Sequence, residues 1–180
     1  METYIALYRG INVGKSNRLT MSDLVATLQG IGCQNVRTYI QSGNAVFESR
    51  ENDTAKLSRL IRSETNKHHG FETQVLVLRP GDARKAMAKN PFPEAENDPQ
   101  SLHLGFLASA PENPDLKALE KLRSGKERFR LEDKIFYLHA PEGVGRSRLA
   151  ANAERLLGVS MTDRNWRTVS KLMEMAEKQK

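Results

Sequence analysis

Residues Arg9 to Ser16 read Arg-Gly-Ile-Asn-Val-Gly-Lys-Ser, a combination whose chemistry is the holding of anions. A P-loop needs Gly, four free residues and then Gly-Lys-Ser/Thr, so that backbone N–H groups wrap a phosphate while the lysine neutralises it. Gly14, Lys15 and Ser16 match its second half. The leading glycine belongs at position 9, where Arg9 stands, and Gly10 is one residue too close. No apolar run ends in an Asp that could hold Mg²⁺, so the expectation is anion binding without nucleoside triphosphate hydrolysis.

Two further stretches carry chemistry of the same kind. His139 to Ser147 is a glycine-containing loop leading into a helix start, where backbone N–H groups and Arg146 suit a phosphate or carboxylate. Its spacing fits neither a dinucleotide fingerprint nor a P-loop. Around Trp166, the guanidinium groups of Arg164 and Arg167 suit phosphate and the indole suits stacking on a ring, while the register of Trp166 with Val169 and Met173 suits a core position. His68, His69, His103 and His139 show no Cys/His ligand pattern, Cys33 has no catalytic setting, and no metal or cofactor is expected. Glu48, Glu142 and His139 are acid–base groups in principle, but the sequence pairs them with nothing, so no catalytic residue is assigned.

The elements that must position these residues follow from periodicity and caps. Thr3 to Tyr8 reads as a strand running into the Arg9–Asn17 loop. Thr20-Met-Ser-Asp23 is a capping box, and Leu24, Val25, Leu28 and Ile31 keep helical spacing up to Gly32. Val36, Thr38 and Ile40 alternate with Arg37, Tyr39 and Gln41, Ser42-Gly43-Asn44 turns, and Ala45 to Glu48 resumes strand character. Asp53 caps a second helix with Leu57, Leu60 and Ile61 on one face, and Gln74 to Leu78 is a short apolar strand. A short helix from Asp82 to about Lys89 stops at Asn90-Pro-Phe-Pro93.

The second half repeats this order. Leu102 to Ala108 is a strand, Asn113-Pro114 caps a helix bearing Leu116, Leu119 and Leu122, and 127–131 and 134–139 form a hairpin about Glu132-Asp133. Arg148 to Leu157 is a helix ended by Gly158, Val159 to Met161 is a last short strand, and the final helix begins near Thr162 or Asp163. The expected fold is α+β, with two ferredoxin-like βαββαβ subdomains in tandem and antiparallel sheets with helices on one face. Residues 1–80 form the first, 81–100 a short helix and linker, and 101–180 the second with the C-terminal helix.

That topology joins two segments distant in sequence. Strands one and three of such a sheet are antiparallel neighbours, so the loop leaving one and the turn entering the other emerge at the same edge. Arg9, Gly10, Asn12, Gly14 and Lys15 are therefore expected beside Gln41, Ser42, Gly43 and Asn44, as N–H donors, amides and a guanidinium for an anionic ligand. The competing reading is that glycines and amides satisfy two neighbouring turns.

Charge and composition narrow the class. Residues 1–90 hold 13 Lys/Arg against 8 Asp/Glu and residues 91–180 hold 15 against 14, so the net charge of +6 sits almost wholly in the first half. A single cysteine and an unremarkable N-terminus give the expectation of a cytoplasmic protein, and no stretch reaches the roughly 18–20 apolar residues of a membrane span.

The blocks RGINVGKSN (9–17), TYIQSGNAVF (38–47), NPFP (90–93), LHAPEGVGRSRL (138–149) and RNWRTVSKL (164–172) together resemble the family catalogued as domain of unknown function 1697, over nearly the whole chain. The resemblance implies an α+β fold with two ferredoxin-like parts, a mostly bacterial distribution and no established activity. Many such sequences have Gly-Gly where this chain has Gly14-Lys15, so Lys15 departs from the family pattern.

Three functions stand as expectations. The first is binding of an anionic or nucleotide-like small molecule at the 9–16 and 41–44 loops, the second nucleic-acid binding, and the third an enzyme acting on a small phosphorylated substrate. No membrane partner is expected. RNA recognition on the sheet face in the manner of RRM domains is disfavoured, because Asn44 and Val46 stand where stacking rings belong.

Overall fold

The computed structural model describes residues 1–178, and the chain divides into two compact units. One comprises Met1–Lys85 with the stretch from Ser170 onward, and the other Ala86–Val169. The architecture is α+β, with two antiparallel four-stranded sheets and, among the described residues, six α-helices.

In the first unit β1 (Glu2–Arg9), α1 (Met21–Gly30), β2 (Gln34–Tyr39), β3 (Asn44–Ser49), α2 (Thr54–His69) and β4 (Gln74–Leu78) follow in order, with strands arranged β2-β3-β1-β4. The helix starts obey their caps: Thr20 Oγ1 accepts from the Asp23 N–H at 3.1 Å, and Asp53 accepts from Ala55 and Lys56. Each such cap contributes about 1 kcal/mol. Tyr4, Ala6, Tyr8, Ala45 and Phe47 from one sheet face join Leu24, Leu28, Leu57 and Ile61 of α1 and α2 in a single core cluster.

The other sheet face is not open, contrary to the expectation of helices on one face only. Ile5 pairs with Val46 and Leu7 with Asn44, and all four are buried. Arg37 lies opposite Val46 and donates to the carbonyl of Met175, which brings the C-terminal stretch of this unit to the same face. Apolar residues on both faces of β1 and β3 require cover on both sides.

α3 (Pro80–Ala88) follows β4, and in the second unit a 3-10 turn (Pro93–Asn97) buries Phe92 and Ala95. Then come β5 (Leu102–Leu107), α4 (Leu116–Leu122), β6 (Arg128–Glu132), β7 (Ile135–His139), a 3-10 turn (Val144–Arg146), α5 (Arg148–Leu157) and β8 (Met161–Asn165), with strands ordered β6-β7-β5-β8; α6 (Trp166–Glu177) starts in this unit and from Ser170 onward belongs to the first.

Four local expectations are corrected. Asp115, not Asn113, caps α4, its Oδ1 accepting from the Ala118 N–H at 2.9 Å. The last strand is Met161–Asn165 instead of 159–161, because the ladder with β5 takes in Thr162, Asp163 and Arg164 despite their polarity. α6 consequently starts at Trp166, where Asn165 Oδ1 accepts from the Thr168 N–H at 3.0 Å. Ile40, read as a strand residue, instead turns the chain after β2 with φ of 49°.

Candidate functional site

The loop after β1 and the turn before β3 lie together, as the antiparallel pairing of the two strands requires. The Tyr8 N–H donates to the Gly43 carbonyl at 2.8 Å, and Asn12 Nδ2 donates to the Gln41 carbonyl at 2.8 Å. At Gly43 the turn approaches the loop closely. A Cβ placed there would stand 2.5 Å from Ile11 Cδ1 and 2.6 Å from Tyr8 Cβ, and its φ of +80° is one that L side chains avoid.

Asn12 is the tie that closes the loop. Besides Gln41, its Nδ2 donates to the Leu19 carbonyl at 2.7 Å, and its Oδ1 accepts from the Leu19 N–H at 2.9 Å. Its own N–H donates to the Asn17 carbonyl at 3.0 Å, and its φ of 56° is one that asparagine tolerates better than most residues. With Leu19 and Ile11 buried, both ends of the 11–19 segment are anchored.

The candidate residues thus divide by role. The Asn12 amide is occupied in joining the two loops, and buried Asn44 donates through Nδ2 to the Tyr39 carbonyl at 3.0 Å and to Ser42 Oγ at 2.9 Å. Arg9 leans toward β4, donating to Gln74 Oε1 at 3.2 Å, while its carbonyl accepts from Thr73 Oγ1 at 2.7 Å. Gly10, Gly14, Lys15, Gln41 and Ser42 are exposed, and so are Ser16 and Arg18. Amides read in the sequence as ligand donors are therefore largely scaffold, and cationic Lys15 stands at the exposed tip.

Two residues absent from the sequence-based site belong to the same edge. Val13 and Ile40 flank the bonded pair Asn12 and Gln41 and are 71% and 50% exposed. Ile40 also holds a left-handed backbone, which for a β-branched residue costs about 1–2 kcal/mol. Nothing in the sequence marks it, because a β-branched residue continuing an alternation reads as strand.

The secondary candidates belong to the second unit. Arg146 is exposed in its 3-10 turn, Arg164 lies in β8 and donates to the Asp163 carbonyl at 2.8 Å, and Arg167 is exposed at the start of α6. Trp166 is buried at 8% exposure, a core position with no face for stacking on a ligand. His139 accepts through Nδ1 from Arg128 at 3.0 Å; burial and that guanidinium both lower its pKa, and Arg128 also lies 4.6 Å from the Phe92 ring centre. It is a neutral acceptor in a local cluster. Burial pushes the Cys33 thiol up to about 11, which leaves almost no thiolate at neutral pH. His103 is buried between Asp163, 2.7 Å from its Nδ1, and the Gln100 carbonyl, 3.0 Å from its Nε2. Both partners are acceptors, so the ring donates from both nitrogens. Among the described residues no group of three or more His, Cys, Asp or Glu side chains could hold a metal, and no helix is long and apolar enough to cross a membrane.

The chain is similar in fold to the conserved bacterial protein SP0830 from Streptococcus pneumoniae, at a TM-score of 0.68 and 23% identity, with 97% of this chain and 98% of that one covered. No curated protein matches it. The family described as "Protein of unknown function (DUF1697)" matches residues 1–137, and the chain belongs to that family.

Proposed function

We propose that this is a cytoplasmic binding protein for an anionic, nucleotide-like small molecule, held at the 9–16 and 41–44 loops of a ferredoxin-like first unit. The βαββαβ order and the strand arrangement β2-β3-β1-β4 support that fold reading, and the second unit repeats both. The observation carrying the function is the make-up of the loop edge. A base locked by Asn12 and Gly43 carries exposed Lys15 and exposed Val13 on the loop, and exposed Ile40 on the turn that Asn12 ties to it. A cation next to apolar surface complements a molecule with a charged group and a flat ring, and an anchored loop loses little entropy on binding. Strain retained at Ile40 is in keeping with a position held for recognition.

Nucleic acid is the competing ligand. Burial of Ile5, Leu7, Asn44 and Val46 closes the sheet face to bases, so such binding would run through phosphates, and its affinity would fall steeply with salt. An enzyme acting on a phosphorylated substrate draws less support, because the hydrogen bonds described at the loops run to carbonyls, amides and hydroxyls.

The test is a titration of AMP, ATP and glucose 6-phosphate into the protein, recording amide shifts. Saturable shifts at Gly10–Lys15 and Ile40–Gly43 are expected, and Lys15→Ala should weaken binding about tenfold, the worth of one charge-assisted hydrogen bond. Loops that do not respond to any of the three remove the reading, and salt-sensitive binding of RNA or DNA in their place favours the alternative.

A further inference from the structure

The outward stripe of α2 carries Arg59, Arg62, Ser63 and Asn66, at helical positions i, i+3, i+4 and i+7, while Leu57, Ile61 and Thr65 on the other side are buried. With Glu72 and Thr73, which lead into β4, these four line a hollow of about 340 Å³. Its floor is fixed. Buried Thr73 donates through Oγ1 to the Arg9 carbonyl at 2.7 Å, and the Ser58 hydroxyl donates to the Val75 carbonyl, tying α2 to β4.

Apart from Thr73, the polar side chains that line this hollow stand without partners among the described residues. Among the described residues, neither guanidinium makes a hydrogen bond or ion pair, nor do the side chains of Ser63, Asn66 and Glu72. Pairing is otherwise the habit of the same helix, where Lys56 meets Glu51 at 2.5 Å and Lys67 meets Glu64 at 3.2 Å. Two like charges one turn apart repel each other on a helix surface. An anion between them turns that repulsion into attraction.

We propose that this hollow binds small phosphate monoesters that carry a hydroxyl or ammonium group. Arg59 and Arg62 offer planar forks of N–H donors that match phosphate oxygens, and Ser63 and Asn66 add neutral hydrogen-bonding groups one turn further along. Glu72, an acceptor only, takes the hydroxyl or ammonium of the ligand and repels additional phosphates. It thereby selects monoesters over triphosphates and over the backbone of nucleic acids. A volume of about 340 Å³ lies at the small end of ligand sites, roughly 300–1,000 Å³, and fits a sugar phosphate or smaller. This site is separate from the loop edge and stands whether or not that edge binds a ligand.

The probes are inorganic phosphate, glycerol 3-phosphate and phosphoethanolamine, titrated into the full chain with amide shifts as readout. Saturable shifts are expected at Arg59–Asn66 and Glu72–Thr73, with both esters binding more tightly than inorganic phosphate. The double substitution Arg59→Gln and Arg62→Gln should weaken all three by about tenfold or more while leaving the thermal midpoint unchanged or higher. Glu72→Gln should erase the preference for phosphoethanolamine over inorganic phosphate, and Lys67→Gln should alter neither affinity. The proposal is overturned if these amides do not respond, or if the double variant binds as the unsubstituted protein does. Shifts confined to Gly10–Lys15 likewise overturn it while leaving the loop-edge reading intact; shifts confined to α2 and Glu72–Thr73 support it and leave the loop-edge reading to its own titration with nucleotides.

Discussion

Replacing Gly43 by alanine tests whether the loop edge is as tightly built as the geometry implies. Two costs add. An L-residue at φ of +80° is disfavoured by about 1–2 kcal/mol. The new Cβ would also stand 2.6 Å from Tyr8 Cβ and 2.5 Å from Ile11 Cδ1, both in buried residues, and forcing a methyl group into packed surroundings costs about 1–3 kcal/mol. Alanine restricts the unfolded chain and returns about 0.4–1 kcal/mol, so the net loss is about 1–4.6 kcal/mol and centres near 3 kcal/mol. Gly14→Ala supplies the internal control. Its φ of +63° carries the same conformational penalty, but nothing lies within 4 Å of the added methyl, so its net loss should stay near 1 kcal/mol. Urea unfolding followed by the amide cross-peaks of β1 and β3 reads the first unit directly, and the Gly43 variant should also shift the amides of residues 11–19. If the two substitutions differ by less than about 0.5 kcal/mol, the close approach of turn and loop does not exist as described.

Two further outcomes follow from other residues. Ile40→Asn should raise stability in the same urea experiment by about 1 kcal/mol, because asparagine tolerates the left-handed backbone, and should weaken any nucleotide bound at the loop edge; a destabilised variant contradicts the strain argument. Burial lowers the His103 pKa, but the Asp163 hydrogen bond and charge outweigh it and the net shift is upward, so its stabilising contribution is fully present below about pH 6.5 and is lost as pH rises through the folded-state value. The stability gap between the protein and His103→Gln should therefore be wider at pH 5.5 than at pH 8.5, and a gap that widens with pH refutes the doubly donating imidazolium.

Local signals were legible wherever backbone chemistry acts alone. Thr20 and Asp53 cap the helices expected of them, Gly158 ends α5, and the β4 boundaries fall at Gln74 and Leu78 as the apolar run indicates. The meeting of the 9–16 and 41–44 loops was also legible, since antiparallel neighbours bring those ends together whatever the side chains are. Less legible was anything that a ladder or a neighbouring layer imposes. Asp163 and Arg164 have little strand character of their own, and with Thr162 they join a strand through pairing with β5.

Caps, turns, the alternation of elements and the position of the glycine-rich loop are therefore set locally along the chain, because each depends on residues within a few positions of one another. What the candidate side chains are used for depends on how the distant parts of the chain pack. Asn12 and Asn44 offer the same amide whether they hold a ligand or a loop, and only the placement of the Leu19, Gln41 and Tyr39 carbonyls within 3.0 Å of their Nδ2 atoms turns them into scaffold. The same placement leaves Lys15, Val13 and Ile40 facing solvent. It likewise leaves Arg59 and Arg62 unpaired at a hollow that composition could not disclose. A polar group's role is fixed by which partners lie within hydrogen-bond reach, and that distance is a property of the folded chain.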